Sequence, residues 1–221
     1  MTDSIKPGAH LAHDSQAMRL TERKTAQPKE VSVCGTSFVI FPGVYDTSVD
    51  TELMAETVAL RPDDSFFEIG CGSGAVSLLL AKRSRGGIAT DINPAAVKNA
   101  KENAARMGIE TVRFIVGDGC AGVDGQFAAV VCNPPYRDHP TVDVVERMYW
   151  DPGHSLTRTF FKEARKHLAP NGRLYFGWAD FGDMQTDLPF QLAKEYGFTQ
   201  VETHERPSHS GKYRFFVLVF E

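Results

Sequence analysis

The chain has 221 residues and a formal net charge of −4, and 42% of its residues are hydrophobic. This length predicts one globular domain with an N-terminal addition. No stretch approaches the roughly 18 consecutive apolar residues of a membrane span, and the N-terminal segment lacks the apolar core of a signal peptide. A cytoplasmic protein without a membrane partner is therefore expected. The acidic balance, with no basic stripe, argues against a nucleic-acid partner.

The cysteine pattern argues against a disulfide framework or a metal site. Four cysteines, Cys34, Cys71, Cys120 and Cys132, form no CxxC pair and have no histidines at metal-ligand spacing. They are interpreted as reduced thiols, and no metal is predicted.

The chain before residue 61 divides into two segments. Residues 1–29 carry little periodic signal and are expected to form an N-terminal arm or lid, either as a mobile arm or as a short amphipathic helix. Residues 30–60 predict two short strands followed by a helix, for which Thr47 and Asp50 have the spacing of a capping box.

Residues 61–221 alternate between strand and helix patterns and form the predicted catalytic domain. Asn93 and Pro94 fit the N-cap and first position of a helix that stops at Gly108. This alternation predicts βαβ units, and thus an α/β fold with a mostly parallel sheet covered on both faces. The last two strands have no helix between them, which predicts an antiparallel hairpin. Ligands should bind at the carboxyl ends of the strands, where the strand order reverses.

The stretch "EIGCGSG" is the first chemical signal in this domain. Gly70, Gly72 and Gly74 allow a sharp turn and a close approach of the backbone to a ligand, directly before a helix. Such a loop also fits a dinucleotide-binding pattern if Ala75 replaces the last glycine, so the loop alone leaves a nicotinamide enzyme open.

Three carboxylates near the glycine loop predict a nucleoside pocket. Asp91 ends the strand "GGIATD" and is placed to accept hydrogen bonds from ribose hydroxyls, and Asp118 ends the next strand and can accept from an adenine amino group. Glu68 lies two residues before Gly70. Carboxylates would repel a pyrophosphate but not the sulfonium and ammonium of S-adenosylmethionine, which is therefore the expected cofactor.

With these residues in place, the chain resembles the class I S-adenosylmethionine-dependent methyltransferases over about residues 60–221. The resemblance implies a Rossmann-like sheet of seven strands, mostly parallel, whose last strand is antiparallel. It implies that Gly70 and Gly72 hold the methionine part of the cofactor, and that Glu68 supports the glycine loop through its backbone donors.

The motif Asn133-Pro134-Pro135-Tyr136 leaves the fourth strand of this domain at the same edge. Prolines cannot donate to a strand ladder, so they end the strand and fix its exit. The amide oxygen of Asn133 and the carbonyl of Pro134 can then accept from one planar NH2 group, on which the Tyr136 ring can stack. Because the nitrogen of an amide or aromatic amine is a poor nucleophile, two such acceptors stabilise the charge that develops on methylation. No covalent nucleophile is required.

This motif resembles that of the adenine-N6 and glutamine-N5 methyltransferases. In addition, residues 41–56 are similar to the stretch before the glycine loop in release-factor glutamine methyltransferases, which implies that Tyr45, Thr51 and Glu52 approach the cofactor or close its pocket. The complete set of cofactor-binding residues expected in this way is Tyr45, Thr51, Glu68, Gly70, Cys71, Gly72, Gly74, Asp91, Ile92, Asp118, Gly119 and Asn133.

The segment before residue 30 is short for the helical substrate-recognition domain of the bacterial release-factor enzymes. Much of the substrate selection is therefore assigned to the insertion at residues 137–155, where Tyr149, Trp150 and His154 are candidates for a substrate-lining wall. Tyr175 is a further aromatic candidate near the sulfonium.

The sequence therefore predicts an N-methyltransferase that acts on a planar amide or amine of a small molecule or a glutamine-like side chain. One alternative is an S-adenosylmethionine cyclase that resembles azetidine-2-carboxylate synthases and releases methylthioadenosine. Another is a non-catalytic cofactor-binding subunit, against which the intact motif at Asn133 argues. The identity of the acceptor and the oligomeric state stay open.

Overall fold

A computed structural model describes residues 8–181 and 187–221 of the chain, with side chains from residue 16 onward. The first seven residues of the predicted N-terminal arm lie outside this range. Within the described residues, no helix has both the length and the apolarity that crossing a membrane requires.

Two antiparallel strands precede the main sheet, as predicted. They are β1 (Lys29–Val33) and β2 (Thr36–Ile40), and they pair from Lys29 with Ile40 to Val33 with Thr36. The turn between them places Cys34 and Gly35 at positive φ, 48° and 71°.

The main sheet has seven strands, in the order β5-β4-β3-β6-β7-β9-β8. These are β3 (Ser65–Ile69), β4 (Gly86–Asp91), β5 (Val112–Val116), β6 (Phe127–Cys132), β7 (Leu168–Ala179), β8 (Gln200–Pro207) and β9 (Arg214–Phe220). Strands β5, β4, β3, β6 and β7 run parallel to one another, whereas β9 is antiparallel to both β7 and β8. The prediction of a mostly parallel sheet with an antiparallel last strand is confirmed.

The strand order reverses between β3 and β6, which lie side by side at the centre of the sheet. Strand β6 is apolar, β3 is apolar apart from Ser65 and Glu68, and both are largely buried, as expected for strands covered by helices on both faces. Since a parallel sheet opens a crevice at the carboxyl ends of the strands at such a reversal, the loops after β3 and β6 face a common cavity.

Six helices accompany the strands within the described residues. They are α1 (Gly8–Thr25), α2 (Val49–Thr57), α3 (Ala75–Ala81), α4 (Pro94–Met107), α5 (Ser155–His167) and α6 (Leu188–Glu195), and two 3₁₀ turns cover Val145–Met148 and Pro152–His154. Both predicted ends of α4 are confirmed: the Asn93 side chain accepts from the backbone of Ala95 at 2.9 Å, and Gly108 ends the helix at φ 64°.

The start of α2 differs from the prediction by one residue. Its capping box is formed by Ser48 and Thr51 rather than by Thr47 and Asp50, and the Ser48 backbone N–H donates to the Thr51 hydroxyl at 3.3 Å. The shift has a physical reason: the Asp50 carboxylate accepts from the Tyr45 hydroxyl and the Asn133 amide, and the Tyr136 hydroxyl also lies within hydrogen-bond distance, so the carboxylate is not available as a cap.

Helix α1 is attached to the strand pair and to the insertion. Arg23, only 4% exposed, donates to the backbone carbonyls of Phe41 and Val44, the latter at 3.3 Å. At the surface, Lys24 pairs with Asp143 at 2.8 Å. The sequence left a helix and a mobile arm open for this segment, and the structure has the helix.

Candidate active site

A cavity of about 340 Å³ opens at the carboxyl ends of β3, β4, β5 and β6. It combines the two motifs that the sequence singled out, the glycine loop after β3 and the asparagine–proline motif after β6. The predicted cofactor-binding and catalytic residues that line it are Tyr45, Thr51, Glu68, Gly70, Cys71, Gly72, Asp91, Ile92, Asp118, Gly119, Asn133, Pro134 and Tyr136.

The glycine loop presents bare backbone to the cavity. Gly70 and Gly72 have φ of 79° and 53°, a region that residues with side chains rarely adopt. A Cβ built at either position meets no atom within 4 Å, so open space for a ligand lies directly above the loop. The loop is held from below, because Gly70 and Cys71 donate their N–H groups to the Thr90 carbonyl at 2.8 and 2.9 Å. This arrangement fits a cofactor that approaches the backbone closely.

Gly74 does not line the cavity, although it was predicted to bind the cofactor. It begins α3 at φ 82°, and a Cβ built there would lie 2.9 Å from the Cβ of Ala100 on α4. The glycine is therefore required for the close packing of α3 on α4.

Asp91 links the glycine loop to the loop that starts α4. Its Oδ2 accepts from the Gly72 N–H at 2.8 Å, and its Oδ1 accepts from the Asn93 N–H at 2.9 Å. Burial raises the pKa of Asp91, and the two backbone donors act in the opposite direction. Each carboxylate oxygen keeps a lone pair, so the predicted bonds to ribose hydroxyls are chemically available.

Glu68 does not support the glycine loop in the predicted way. It is 2% exposed, and the bonds that it accepts come from Ser77, on α3, rather than from the loop backbone. Burial raises the pKa of Glu68 to about 8. The carboxyl is therefore neutral at pH 7, and it fastens β3 to α3 without adding a negative charge to the cavity floor.

Asn133 is held by a buried carboxylate that the sequence had assigned to a helix cap. Its Nδ2 donates to Asp50 Oδ2 at 2.9 Å, and its Oδ1 accepts from the Tyr136 hydroxyl at 2.6 Å. A carboxylate only accepts, so the amide must turn its NH2 toward Asp50 and its oxygen toward Tyr136. The Tyr45 hydroxyl donates to Asp50 as well, at 3.1 Å.

Asp50 was absent from the predicted site, although it is only 4% exposed and lines the cavity. The signal was present in the sequence. Residues 41–56 resemble the release-factor enzymes, and Tyr45, Thr51 and Glu52 were expected at the site on that ground. Tyr45 and Thr51 line the cavity, Glu52 does not, and Asp50, which was not expected there, does.

Tyr136 belongs to an aromatic wall at one end of the cavity. Its ring centroid lies 5.7 Å from that of Phe181, 6.1 Å from that of Phe215 and 6.4 Å from that of Trp178. Burial and the charge of Asp50 raise the pKa of Tyr136 well above its usual value, so the hydroxyl stays protonated and can donate. The role of the ring was predicted from the sequence, whereas the role of the hydroxyl was not.

The insertion and α1 form a further part of the cavity wall. Tyr149 and Trp150 line the cavity as predicted, and they pack with Leu20 of α1. Gln16 and Arg19 of α1 line it too, which no pattern in the sequence had indicated.

Two predicted lining residues lie elsewhere. Tyr175 points its hydroxyl to the end of α2, where it accepts from the Ala59 N–H at 3.3 Å. His154 is 2% exposed and sits at φ 51° where α5 begins. The neighbouring Asp151 accepts from the Leu156 N–H at 2.8 Å and caps this helix, and the resulting turn places His154 away from the cavity.

The fold and the cavity together define the class I S-adenosylmethionine-dependent methyltransferases, and S-adenosylmethionine is the cofactor. The profile of the methyltransferase small domain family matches residues 36–207, and the chain belongs to this family.

Curated relatives point in the same direction. The chain is 31% identical over 154 residues to the release factor glutamine methyltransferase of Cereibacter sphaeroides, covering 63% of this chain and 55% of that protein. It is 32% identical over 190 residues to the enzyme of the same name from Fusobacterium nucleatum, covering 74% and 54%. The chain thus spans about half the length of these relatives.

Among solved structures, the 16S rRNA N2 G1207 methyltransferase of T. thermophilus, in complex with AdoMet and guanosine, superposes with a TM-score of 0.64. The two are 17% identical, and the match covers 88% of this chain and 50% of the other. At this identity the likeness concerns the fold alone.

Proposed function

We propose that the protein transfers the methyl group of S-adenosylmethionine to the nitrogen of a planar amide or amine. The observation that carries this proposal is the placement of Asn133. Its side chain lines the same cavity as the bare glycine backbone and Asp91, and the bonds to Asp50 and Tyr136 fix its orientation.

The chemistry follows from what these residues can accept. The bound cofactor supplies an electrophilic methyl group. Asn133 Oδ1 has two lone pairs, of which the Tyr136 hydroxyl uses one, and Pro134, whose carbonyl is the second expected acceptor, also lines the cavity. Both oxygens can accept from the two hydrogens of one NH2 group, which orients that group and stabilises the positive charge that its nitrogen gains.

The acceptor that suits this site is a small-molecule amide or amine, or a glutamine-like side chain. The relatives are named for release factor glutamine, whose side chain ends in a planar amide. The cavity, at about 340 Å³, is near the lower end of the range of roughly 300–1,000 Å³ for ligand pockets. Because α1 and the insertion also line it, a small acceptor is favoured over a loop of a large partner.

A direct test supplies the protein with S-adenosylmethionine and a set of candidate acceptors, including free glutamine, a glutamine-containing release-factor peptide and aromatic amides. Mass spectrometry then identifies the nucleoside product and any methylated acceptor. S-adenosylhomocysteine that forms only with an acceptor supports the proposal. A methyl group found on oxygen or carbon rather than on nitrogen contradicts it.

A second candidate function is cyclisation of the cofactor itself. The modest volume of the cavity favours it, because the cofactor then needs no separate acceptor. The cofactor's amino nitrogen would form a bond to its γ-carbon while the γ-carbon–sulfur bond breaks, giving methylthioadenosine, an azetidine and a proton. Incubation with S-adenosylmethionine alone separates the two candidates, since methylthioadenosine formed without an acceptor is expected only for cyclisation.

A further inference from the structure

Asp50 is a buried carboxylate whose hydrogen-bond partners are all neutral. The Tyr45 hydroxyl and the Asn133 amide donate to it, and the Tyr136 hydroxyl, whose one proton is shared with Asn133 Oδ1, lies 3.1 Å from its Oδ2. Across the described part of the chain, no lysine, arginine or histidine forms an ion pair with Asp50. With 4% of its surface exposed, it is also poorly hydrated.

A carboxylate in this position is costly unless something compensates its charge. Burying an ion costs several kcal/mol, and neutral donors offset only part of that cost. The N-terminus of α2, where Asp50 sits in the first turn, supplies only a partial positive charge. The negative charge of the Asp50 carboxylate is therefore not compensated by a positive side chain within ion-pair distance among the described residues.

The other buried aspartate of the cavity, Asp151, shows what a compensated carboxylate looks like. It is fully buried, but its oxygens accept from the backbone of Leu156 and Thr157 and from two hydroxyls, and the Arg147 guanidinium lies 3.9 Å away. Asp151 is thus a structural cap. The contrast between the two aspartates indicates that the charge of Asp50 interacts with a bound ligand.

The surroundings of Asp50 suit a cation. Tyr45, Tyr136 and Tyr149 line the same cavity, and the rings of Tyr45 and Tyr149 meet edge to face at 5.8 Å. Aromatic faces attract cations, and more strongly where water is excluded. Rings around a carboxylate provide a compact site for a soft, weakly hydrated positive charge.

The position of Asp50 relative to Asn133 indicates which positive charge of the cofactor Asp50 would pair with. Asn133 marks the reacting end of the cavity under the proposed function, and the Asp50 carboxylate touches its amide at 2.9 Å. The cofactor's positive charge at the reacting end is its sulfonium, which becomes a neutral thioether once the methyl group has left. We infer that Asp50 is the counter-ion of the cofactor sulfonium, and that it makes the site hold the methyl donor more tightly than the demethylated product.

This inference rests on the proposed function, and equilibrium binding tests it without any acceptor. Isothermal titration calorimetry compares three ligands: S-adenosylmethionine, sinefungin, in which an amine-bearing carbon replaces the sulfonium, and S-adenosylhomocysteine. The wild-type protein is expected to bind the two cationic ligands more tightly. In Asp50→Asn their affinity should fall by about tenfold or more, while that of S-adenosylhomocysteine stays within about twofold.

Asp46→Asn is a matched control. Asp46 lies four positions earlier, pairs with Lys29 at 2.7 Å and does not line the cavity, so removal of its charge should leave all three affinities unchanged. Asp50→Glu keeps the charge and should keep the preference for the cationic ligands.

Two results would overturn the inference. One is an equal loss of affinity for all three ligands in Asp50→Asn. That result would make Asp50 a structural support or a partner of the α-ammonium that these ligands share. The other is a wild-type protein that binds S-adenosylhomocysteine as tightly as S-adenosylmethionine, a measurement that needs no folded variant. If the wild-type protein binds none of the ligands, the proposed function fails instead.

Discussion

The Asn133 Nδ2 atom donates to Asp50 Oδ2 at 2.9 Å, although the two residues are 83 positions apart in the sequence. The bond joins the first turn of α2 to the end of β6, on opposite sides of the glycine loop in the chain. It determines which way the Asn133 amide faces and, with it, which atom a substrate nitrogen meets. The orientation of the reactive corner thus depends on a segment that precedes the cofactor-binding motifs.

Replacement of Asn133 by alanine should abolish most of the turnover while cofactor binding persists. Loss of one preorganised group at a developing charge typically lowers kcat by about 10²–10³-fold. The measurement is single-turnover product formation together with titration of S-adenosylmethionine on the same preparation. Near-normal turnover in Asn133→Ala would contradict the assigned role of the side chain.

Replacement of Asp91 by alanine should weaken cofactor binding. The carboxylate bonds to Gly72 and Asn93, and its remaining lone pairs are the predicted ribose acceptors, so a loss of about 1–3 kcal/mol in binding free energy is expected. Calorimetry on Asp91→Ala measures it. Asp124→Ala, an exposed position outside the cavity, is the control and should bind as the wild type does.

Glu68 should make the stability of the fold fall as the pH rises. Its pKa is about 8 in the folded protein and about 4.3 in an unfolded chain, so between these values the folded state holds a proton that the unfolded state has lost. The contribution is fully present below the unfolded pKa and is lost as the pH approaches 8.

The check on Glu68 is the thermal midpoint of wild type and Glu68→Gln from pH 4 to 9. The midpoint of the wild type relative to the variant should decline across that window, because glutamine has no proton to lose. A difference that does not change with pH would mean that Glu68 is ionised in the folded protein.

Gly74→Ala should destabilise the protein more than Gly108→Ala does. Both glycines have positive φ, 82° and 64°, which costs an alanine roughly 1 kcal/mol at either position. Only the Gly74 variant adds a Cβ contact of 2.9 Å, with Ala100, whereas nothing lies within 4 Å of a Cβ at Gly108. Denaturant unfolding of both variants measures the difference, and equal losses would argue against the packing role of Gly74.

The sequence predicted the features that depend on near neighbours. The Asn93 cap and the Gly108 stop lie within one helix, and strand alternation gave the order of elements. Contacts that join distant segments were not accessible in this way. Asp50 has capping-box spacing with Thr47, and that spacing does not predict its tertiary hydrogen bonds at the cavity, to which only the resemblance of residues 41–56 pointed.

The direction of individual side chains was the second feature that the sequence did not predict. Successive residues of a strand point to opposite faces of the sheet, so an aromatic residue on β7 can meet either the cavity or the far side. Tyr175 takes the side of α2, where its hydroxyl meets the Ala59 N–H. The position of helix α1 could not be predicted for another reason. Its contacts run through Arg23 to backbone carbonyls, and such hydrogen bonds do not appear in a hydrophobic pattern.

The attachment of α1 has a kinetic consequence. Leu20 packs on Tyr149 and Trp150, and the Arg23 bonds to the carbonyls of Phe41 and Val44 hold in place the helix whose Gln16 and Arg19 line the cavity. A ligand that enters or leaves past this helix exchanges no faster than those contacts open. The residence time of a ligand in the cavity would then depend on the strength of the Arg23 contacts, although Arg23 touches neither reactant. Substitutions at Arg23 would therefore change the rate of ligand release between turnovers.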